Sequence, residues 1–166
     1  MNVAIHDANI LIDIVKLDLA EALFSLDLNM RTTDAVWAEL AGGQKNVLRQ
    51  FVDRSLLLID TFSFEEVAQI ASFAQKHRAL SFEDCSLIVA GRRHNALVIT
   101  GDRKLRSVIE SEKLEVHGIL WLFDRMVNEA AIDKCMASEK LRELMRMNSR
   151  LPVDEMEKRI GRWKQG

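Results

Sequence analysis

The sequence predicts an α/β protein: a three-layer α/β/α arrangement with a central, mostly parallel sheet and a helical C-terminal extension. Three observations carry this. Short apolar runs rich in Val and Ile alternate with segments of helical periodicity, the pattern of βαβ units. The run NVAIH at the start is apolar almost throughout, as a strand covered on both faces requires. Beyond residue 116 only helical patterns follow.

The elements follow in order. Asn2–His6 is a buried strand. Ala8–Lys16 is a helix, with Ile10, Leu11, Ile14 and Val15 on one face and Asn9, Asp13 and Lys16 on the other. Leu17–Leu26 has a helical look, and Asn29–Thr32 is a short strand. Thr33 or Asp34 caps a helix through Ala41, which Gly42-Gly43 is expected to end. A helix over Gln44–Arg54, a strand over Leu56–Asp60 and an amphipathic helix over Phe64–His77 come next. Ser81–His94 is a helix, Ala96–Thr100 a strand, Asp102–Glu112 a helix and Glu115–Val116 a short strand. Three helices close the chain, over Ile119–Asn128, Ile132–Arg146 and Val153–Lys164; Pro152 suits the first turn of the last.

With 166 residues, one domain with a real core is the default. An apolar content of 48% and a charged content of 29% are those of a soluble globular chain. Asp7 and Asp13 interrupt the first apolar stretch, so it is no signal peptide, and no stretch is apolar enough to span a bilayer. Cys85 and Cys135, far apart, read as reduced thiols of a cytoplasmic protein, and the four histidines lack metal-finger spacing. The net charge of -2 is uneven. Residues 1–91 hold 7 Lys/Arg and 13 Asp/Glu, whereas residues 92–166 hold 16 and 12. That split suits a chain that binds a cation in one place and a polyanion nearby; scattered surface charge gives it equally well.

Four carboxylates invite chemistry, and each has a plain structural alternative. Asp7 follows the first strand, and Asp102 follows LVITG. Ligands of open α/β sheets gather at the carboxyl ends of strands, but either aspartate also fits as the N-cap of the next helix. Glu39, in DAVWAELA, shares a helix face with Ala35 and Val36, a partly apolar start for a carboxylate; its long side chain can still reach water from the edge of that face. Asp84 completes a Ser81-to-Asp84 capping box, yet it shares a face with Leu87, Ile88 and Gly91, while Glu83 can point away. Together they are four acids near strand ends. Such a cluster repels itself and needs a cation. Hard divalent ions such as Mg²⁺ take oxygen ligands.

In this order the motifs resemble a PIN domain, the metal-dependent ribonuclease fold of VapC-type toxins. HDANILID carries Asp7 and Asn9, VWAEL carries Glu39, FEDCSLIVAGRR carries Asp84, and LVITGDRKLR carries Thr100 and Asp102. The resemblance runs from Val3 to about Val116. The tail beyond is similar to that of PIN-like proteins with extra C-terminal helices, which divides the chain into a nuclease domain over 1–130 and an extension over 131–166, packed on the domain or on a partner. The resemblance implies a metal-dependent endoribonuclease, the toxin-like component of a toxin-antitoxin pair, with RNA as substrate and a small antitoxin or a second copy of the chain as partner. Asp7, Glu39, Asp84 and Asp102 would be the catalytic acids and hold one or two Mg²⁺ or Mn²⁺ ions. A metal-activated water would hydrolyse the phosphodiester to 5′-phosphate and 3′-hydroxyl ends. Asn9 and Thr100 would hold a ligand carboxylate or water, or be structural hydrogen-bonding residues.

Arg92, Arg93, Arg103, Lys104 and Arg106 flank two of the acids and are candidates for RNA phosphate contact, against the plain reading of a solvated helix surface. Val153, Met156, Ile160 and Trp163 form one stripe on the last helix. It packs on its own domain, or serves a homodimer or antitoxin contact with Trp163 as anchor. The rival functions are a catalytically inactive PIN-like module that binds RNA or protein, and a phosphatase of the haloacid-dehalogenase type. The second wants Asp-x-Asp where this chain has Asp7-Ala8-Asn9. A nucleotide-binding Rossmann protein lacks its glycine pattern here.

Overall fold

The chain's ends of strands are where the fold matters, and the computed structural model, which describes residues 2–148 and 151–164, places five of them in one sheet. The strands are β1 (Asn2–His6), β2 (Leu28–Thr33), β3 (Leu57–Asp60), β4 (Leu97–Ile99) and β5 (Val116–His117). Their order is β3-β2-β1-β4-β5, and every pairing is parallel. Ala4, Ile5, Leu97, Val98 and Ile99 are all buried, as a sheet covered on both faces demands. The order grows outward from β1 in one direction and then restarts on its other side with β4. The crevice between the carboxyl ends of β1 and β4 is therefore the topological switch point.

Helices α1 (Ala8–Lys16) and α2 (Ala20–Phe24) link β1 to β2; α3 (Asp34–Glu39) and α4 (Gly42–Asp53) link β2 to β3. Helices α5 (Phe64–Lys76) and α6 (Phe82–His94) link β3 to β4, and α7 (Arg103–Ser111) links β4 to β5. Helix α6 is buried at every position from Cys85 to Gly91 and packs on β1, β2 and β4 as well as on α3 and α5. Gly91 permits that approach: a Cβ there would meet Leu114 Cδ1 and Val98 Cγ2, each at 3.2 Å. Asn95, in the left-handed region at φ 46°, ends the helix, a conformation asparagine tolerates better than most residues.

Two local expectations are corrected. Gly42-Gly43 do not end a helix but begin α4. The preceding helix stops earlier, because Leu40 turns to extended backbone and is buried. Gln44 Oε1 then accepts from the Ala41 N–H at 2.6 Å and so helps start α4. The helix expected over Leu17–Leu26 shrinks to α2, since Asp18 takes a left-handed φ of 56° and breaks the run.

Three further helices follow: α8 (Ile119–Asn128), α9 (Lys134–Met147) and α10 (Val153–Lys164). Helix α9 packs on α8 and α10, and α8 reaches α2. Asp133 caps α9 by accepting from the Met136 N–H at 2.7 Å. Met156 and Ile160 of the C-terminal stripe are buried and belong to the chain's own core cluster; Val153 is exposed and Trp163 half-buried. Arg159 pairs with Asp124 of α8 at 2.9 Å and ties α10 down. Among the described residues no helix is long and apolar enough to cross a membrane, and Cys85 and Cys135 are both free thiols.

Candidate active site

Asp7 directly follows β1, and its backbone N–H donates to the Ile99 carbonyl of β4 at 3.0 Å, extending the sheet ladder by one bond. Asp7 occupies the N-cap position of α1, yet its side chain makes no capping bond. Its Oδ2 instead accepts from the Thr100 hydroxyl at 2.8 Å. The carboxylate is almost wholly buried. Burial raises its pKa, and repulsion from Asp84 and Asp102 adds to that, against the Thr100 hydrogen bond. A carboxylate held this way is short of positive charge.

Thr100 has a second task. Its Oγ1 accepts from the Asp102 N–H at 3.1 Å while donating to Asp7. One buried hydroxyl thus joins the ends of β1 and β4 across the switch point. Asp102 does cap its helix: Oδ1 accepts from the Lys104 and Leu105 N–H groups, both at 2.8 Å. Asp84 is also a capping residue, its Oδ2 accepting from the Ser81 N–H at 2.9 Å while Ser81 Oγ accepts from the Asp84 N–H at 3.1 Å. Each of these caps uses one carboxylate oxygen.

Glu39 ends α3 and is exposed, so the inward placement suggested by its helix face does not hold; Val36 alone of that face is fully buried. Its pKa is raised nonetheless, first by partial burial and then by Glu83, Asp7 and Asp84. The four acids therefore share one electrostatic neighbourhood, with Glu83 beside them. Asn9 is exposed on α1 and lines a cleft next to Asp102. Among the described residues, no group of three or more His, Cys, Asp or Glu side chains is gathered closely enough to hold a metal ion as it stands. The donor set, all carboxylate oxygens and one of them buried without a cationic partner, suits a hard divalent ion.

A contact between Thr33 and Ser86, which the sequence did not reveal, helps hold this neighbourhood together. Thr33 caps α3, accepting from the Val36 N–H at 3.1 Å, and its hydroxyl lies 2.8 Å from Ser86 Oγ. Both are buried. They pin the helix of Glu39 to the helix of Asp84. The cap was legible; the partner, 53 positions away, was not. Next to Asp7, His6 is wholly buried, and burial pushes its pKa down to about 4, which keeps it neutral.

The basic residues divide. Arg103 and Lys104 are exposed on the first turn of α7 and line the same cleft as Asn9 and Asp102. Arg106 instead donates to the Val116 carbonyl at 3.3 Å. Arg92 pairs with Glu112 and lies 5.2 Å from the Phe73 ring centroid. Arg93 bonds Glu66 at 2.9 Å and the Thr61 carbonyl at 3.1 Å. The structure does not bring Arg92 and Arg93 to the acids: eight and nine residues along α6 from Asp84, they lie roughly 12 Å or more from it.

A parallel sheet with acids at its switch point is an open α/β fold whose ligand crevice is lined by carboxylates. A family model described as a PIN domain matches residues 3–165, and the chain belongs to the PIN-domain family. PIN domains are in general nucleases that use divalent metal ions. No curated protein matches the chain.

Proposed function

We propose that this chain is a Mg²⁺- or Mn²⁺-dependent endoribonuclease acting in the cytoplasm, the toxin-like component of a toxin-antitoxin pair. The observation that carries the reading is the Thr100 bridge: a buried Asp7 without a cationic partner, joined through one hydroxyl to the backbone of Asp102. Asp7, Glu39, Asp84 and Asp102 would hold the ion. When bound, the ion supplies a Lewis acid that lowers the pKa of water and offsets charge on the phosphoryl oxygens.

The chain's own residues do the rest. Thr100 fixes the Asp7 carboxylate by donating to Oδ2. The capping bonds of Asp84 and Asp102 hold those two side chains to the backbone, each through one carboxylate oxygen. Arg103 and Lys104 bind the phosphates of the strand. Residues 131–166 act as an extension on the nuclease core and are a docking candidate for an antitoxin or a second copy.

The test is cleavage of a mixed panel of structured RNAs by purified protein with Mn²⁺, with Mg²⁺ and with chelator, beside Asp7→Asn and Asp102→Asn. Metal-dependent cutting abolished by both substitutions is the expected result. Equal cutting by all three proteins marks contamination and removes the assignment. RNA binding without cutting by any of them makes the chain an inactive RNA-binding module of the same fold.

A further inference from the structure

Beside the acids lies a cleft of about 760 Å³ that the nuclease reading does not use in full. Its inner surface includes Ile10 and Ile119, both buried in the core. Its outer wall comes from the far end of the chain, with Met147 exposed and Leu151 half-buried. Arg103 and Lys104 stand on its rim. One carboxylate enters it from α1: Asp13, half-buried, whose Oδ2 accepts from Asn148 Nδ2 at 3.3 Å. That contact spans 135 positions of sequence and holds the wall against α1. A mostly polar slot, with Asp13, Asp102 and the amides of Asn9 and Asn148 inside, Met147 and Leu151 on one wall and cations at its mouth, matches a nucleotide better than a bare phosphate. Sequence-specific recognition of RNA takes hold of unstacked bases by stacking and by their Watson–Crick edges.

We propose that this cleft seats one unstacked base of the RNA strand, that Asp13 reads it as guanine, and that the C-terminal helices supply the outer wall. The inference deepens the nuclease reading and rests on it for the choice of RNA as ligand. A carboxylate only accepts hydrogen bonds. Guanine alone among the four bases presents two adjacent donors on its Watson–Crick edge, N1–H and N2–H, and these match the two carboxylate oxygens. Adenine and cytosine offer one donor beside an acceptor, and uracil offers one donor between two acceptors. The bond from Asn148 occupies one lone-pair site of Oδ2 and fixes the side chain, leaving the other sites for the base. Burial of Asp13 raises its pKa, as expected of a carboxylate in need of further donors. Met147 suits the wall, since a thioether packs well against a ring.

The experiment is titration of the metal-free full chain, in chelator, with the four 5′-mononucleotides, followed by NMR. Wild type is expected to bind the guanine nucleotide about tenfold more tightly than the other three, the scale of one bidentate base contact. Asp13→Asn retains an acceptor for Asn148 but gains a donor, and is expected to abolish the preference for guanine, because all four bases present an adjacent donor and acceptor to an amide. Met147→Ala is expected to weaken binding of the guanine nucleotide without removing its preference over the other three. Equal binding of all four nucleotides, no binding of any, or an unchanged preference in Asp13→Asn overturns the proposal. An unchanged affinity in Met147→Ala removes the wall from it. No cleavage enters this readout. A chain that selects guanine but cuts no RNA keeps the base site and loses the nuclease reading; one that cuts with metal but selects no base does the reverse.

Discussion

Asp7 and Asp60 close two strands of the same sheet, and both are nearly inaccessible, at 6% and 4% exposure. Their surroundings are opposite. Burial presses on Asp60 too, but Arg31 meets it with two hydrogen bonds of 3.1 Å through Nε, and His94 Nε2 lies 3.0 Å away. The net result is a pKa below the ordinary value. Asp7 receives only neutral donors, the Thr100 hydroxyl and the Ala8 backbone, and has two acids for neighbours, so burial prevails and its pKa is raised. Asp60 is a carboxylate whose cation is part of the protein, whereas Asp7 has no cation paired with it among the described residues. Burial alone does not set the charge state of an acid; the charge around it does.

The largest effect that sharpens this contrast is on activity. Asp7→Asn is expected to cut metal-dependent RNA cleavage by about a thousandfold, the scale of losing roughly 4 kcal/mol of transition-state stabilisation, while leaving the metal-free melting temperature unchanged or raised. Initial rates and thermal melts in chelator measure both. At the other strand end the order reverses. Arg31→Met leaves Asp60 buried without its main partner and is expected to cost about 3 kcal/mol of stability in urea unfolding, with the cleavage rate of the folded fraction kept. A stable Arg31→Met, or an Asp7→Asn that unfolds, breaks the comparison.

Thr100→Val tests the bridge between the two acids. It removes the donor to Asp7 and the acceptor for the Asp102 N–H together. A loss of about 10- to 100-fold in rate is expected, as for removal of a group that orients a metal ligand, with about 1 to 3 kcal/mol of stability. A rate loss no larger than the unfolded fraction explains would leave Thr100 a purely structural residue.

The smallest effect is in the pH dependence. Asp60, with its pKa lowered on folding, contributes stability that is present above the unfolded carboxylate value of about 4 and fades as pH falls through the lower folded value. Asp7 has the opposite sign. Between the unfolded value and its raised folded value the native state binds the extra proton, so stability falls as pH rises through that window. His6, neutral when folded, opposes this by losing stability as pH drops below about 6.5 toward about 4. The difference between wild type and Asp7→Asn at matched pH cancels His6. In chelator the variant is expected to gain on wild type as pH rises from 4 to 7, and Mg²⁺ or Mn²⁺ is expected to close the gap. A difference flat with pH would mean that Asp7 is not short of positive charge.

Local signals in the sequence located what is local. Alternation of apolar runs and helical periods placed every strand and all but the shortest helices, and Ser81, Asp102 and Thr33 were readable as caps. Gly42-Gly43 misled because two glycines mark a boundary without saying which side of it they lie on; the buried Leu40 decided. For the acids, cap and ligand were competing readings from sequence, and the caps of Asp84 and Asp102 are observed, each using one carboxylate oxygen. What stayed illegible depends on tertiary pairing. Arg92 and Arg93 follow Asp84 in sequence but are carried away along a buried helix to Glu112 and Glu66. Asp13 gave no sign of Asn148.

The Thr100 hydroxyl has a single hydrogen, and that fixes a direction. Amide, hydroxyl and carboxylate form a polarised chain from the first turn of α7 to the end of β1, with each bond strengthening the next. Were a cation to neutralise Asp7 as proposed, the carboxylate would draw less on that hydrogen and the bond from the Asp102 amide would weaken with it. Occupancy of the proposed site and the set of the first turn of α7, which bears Arg103 and Lys104, would then be two readings of one equilibrium.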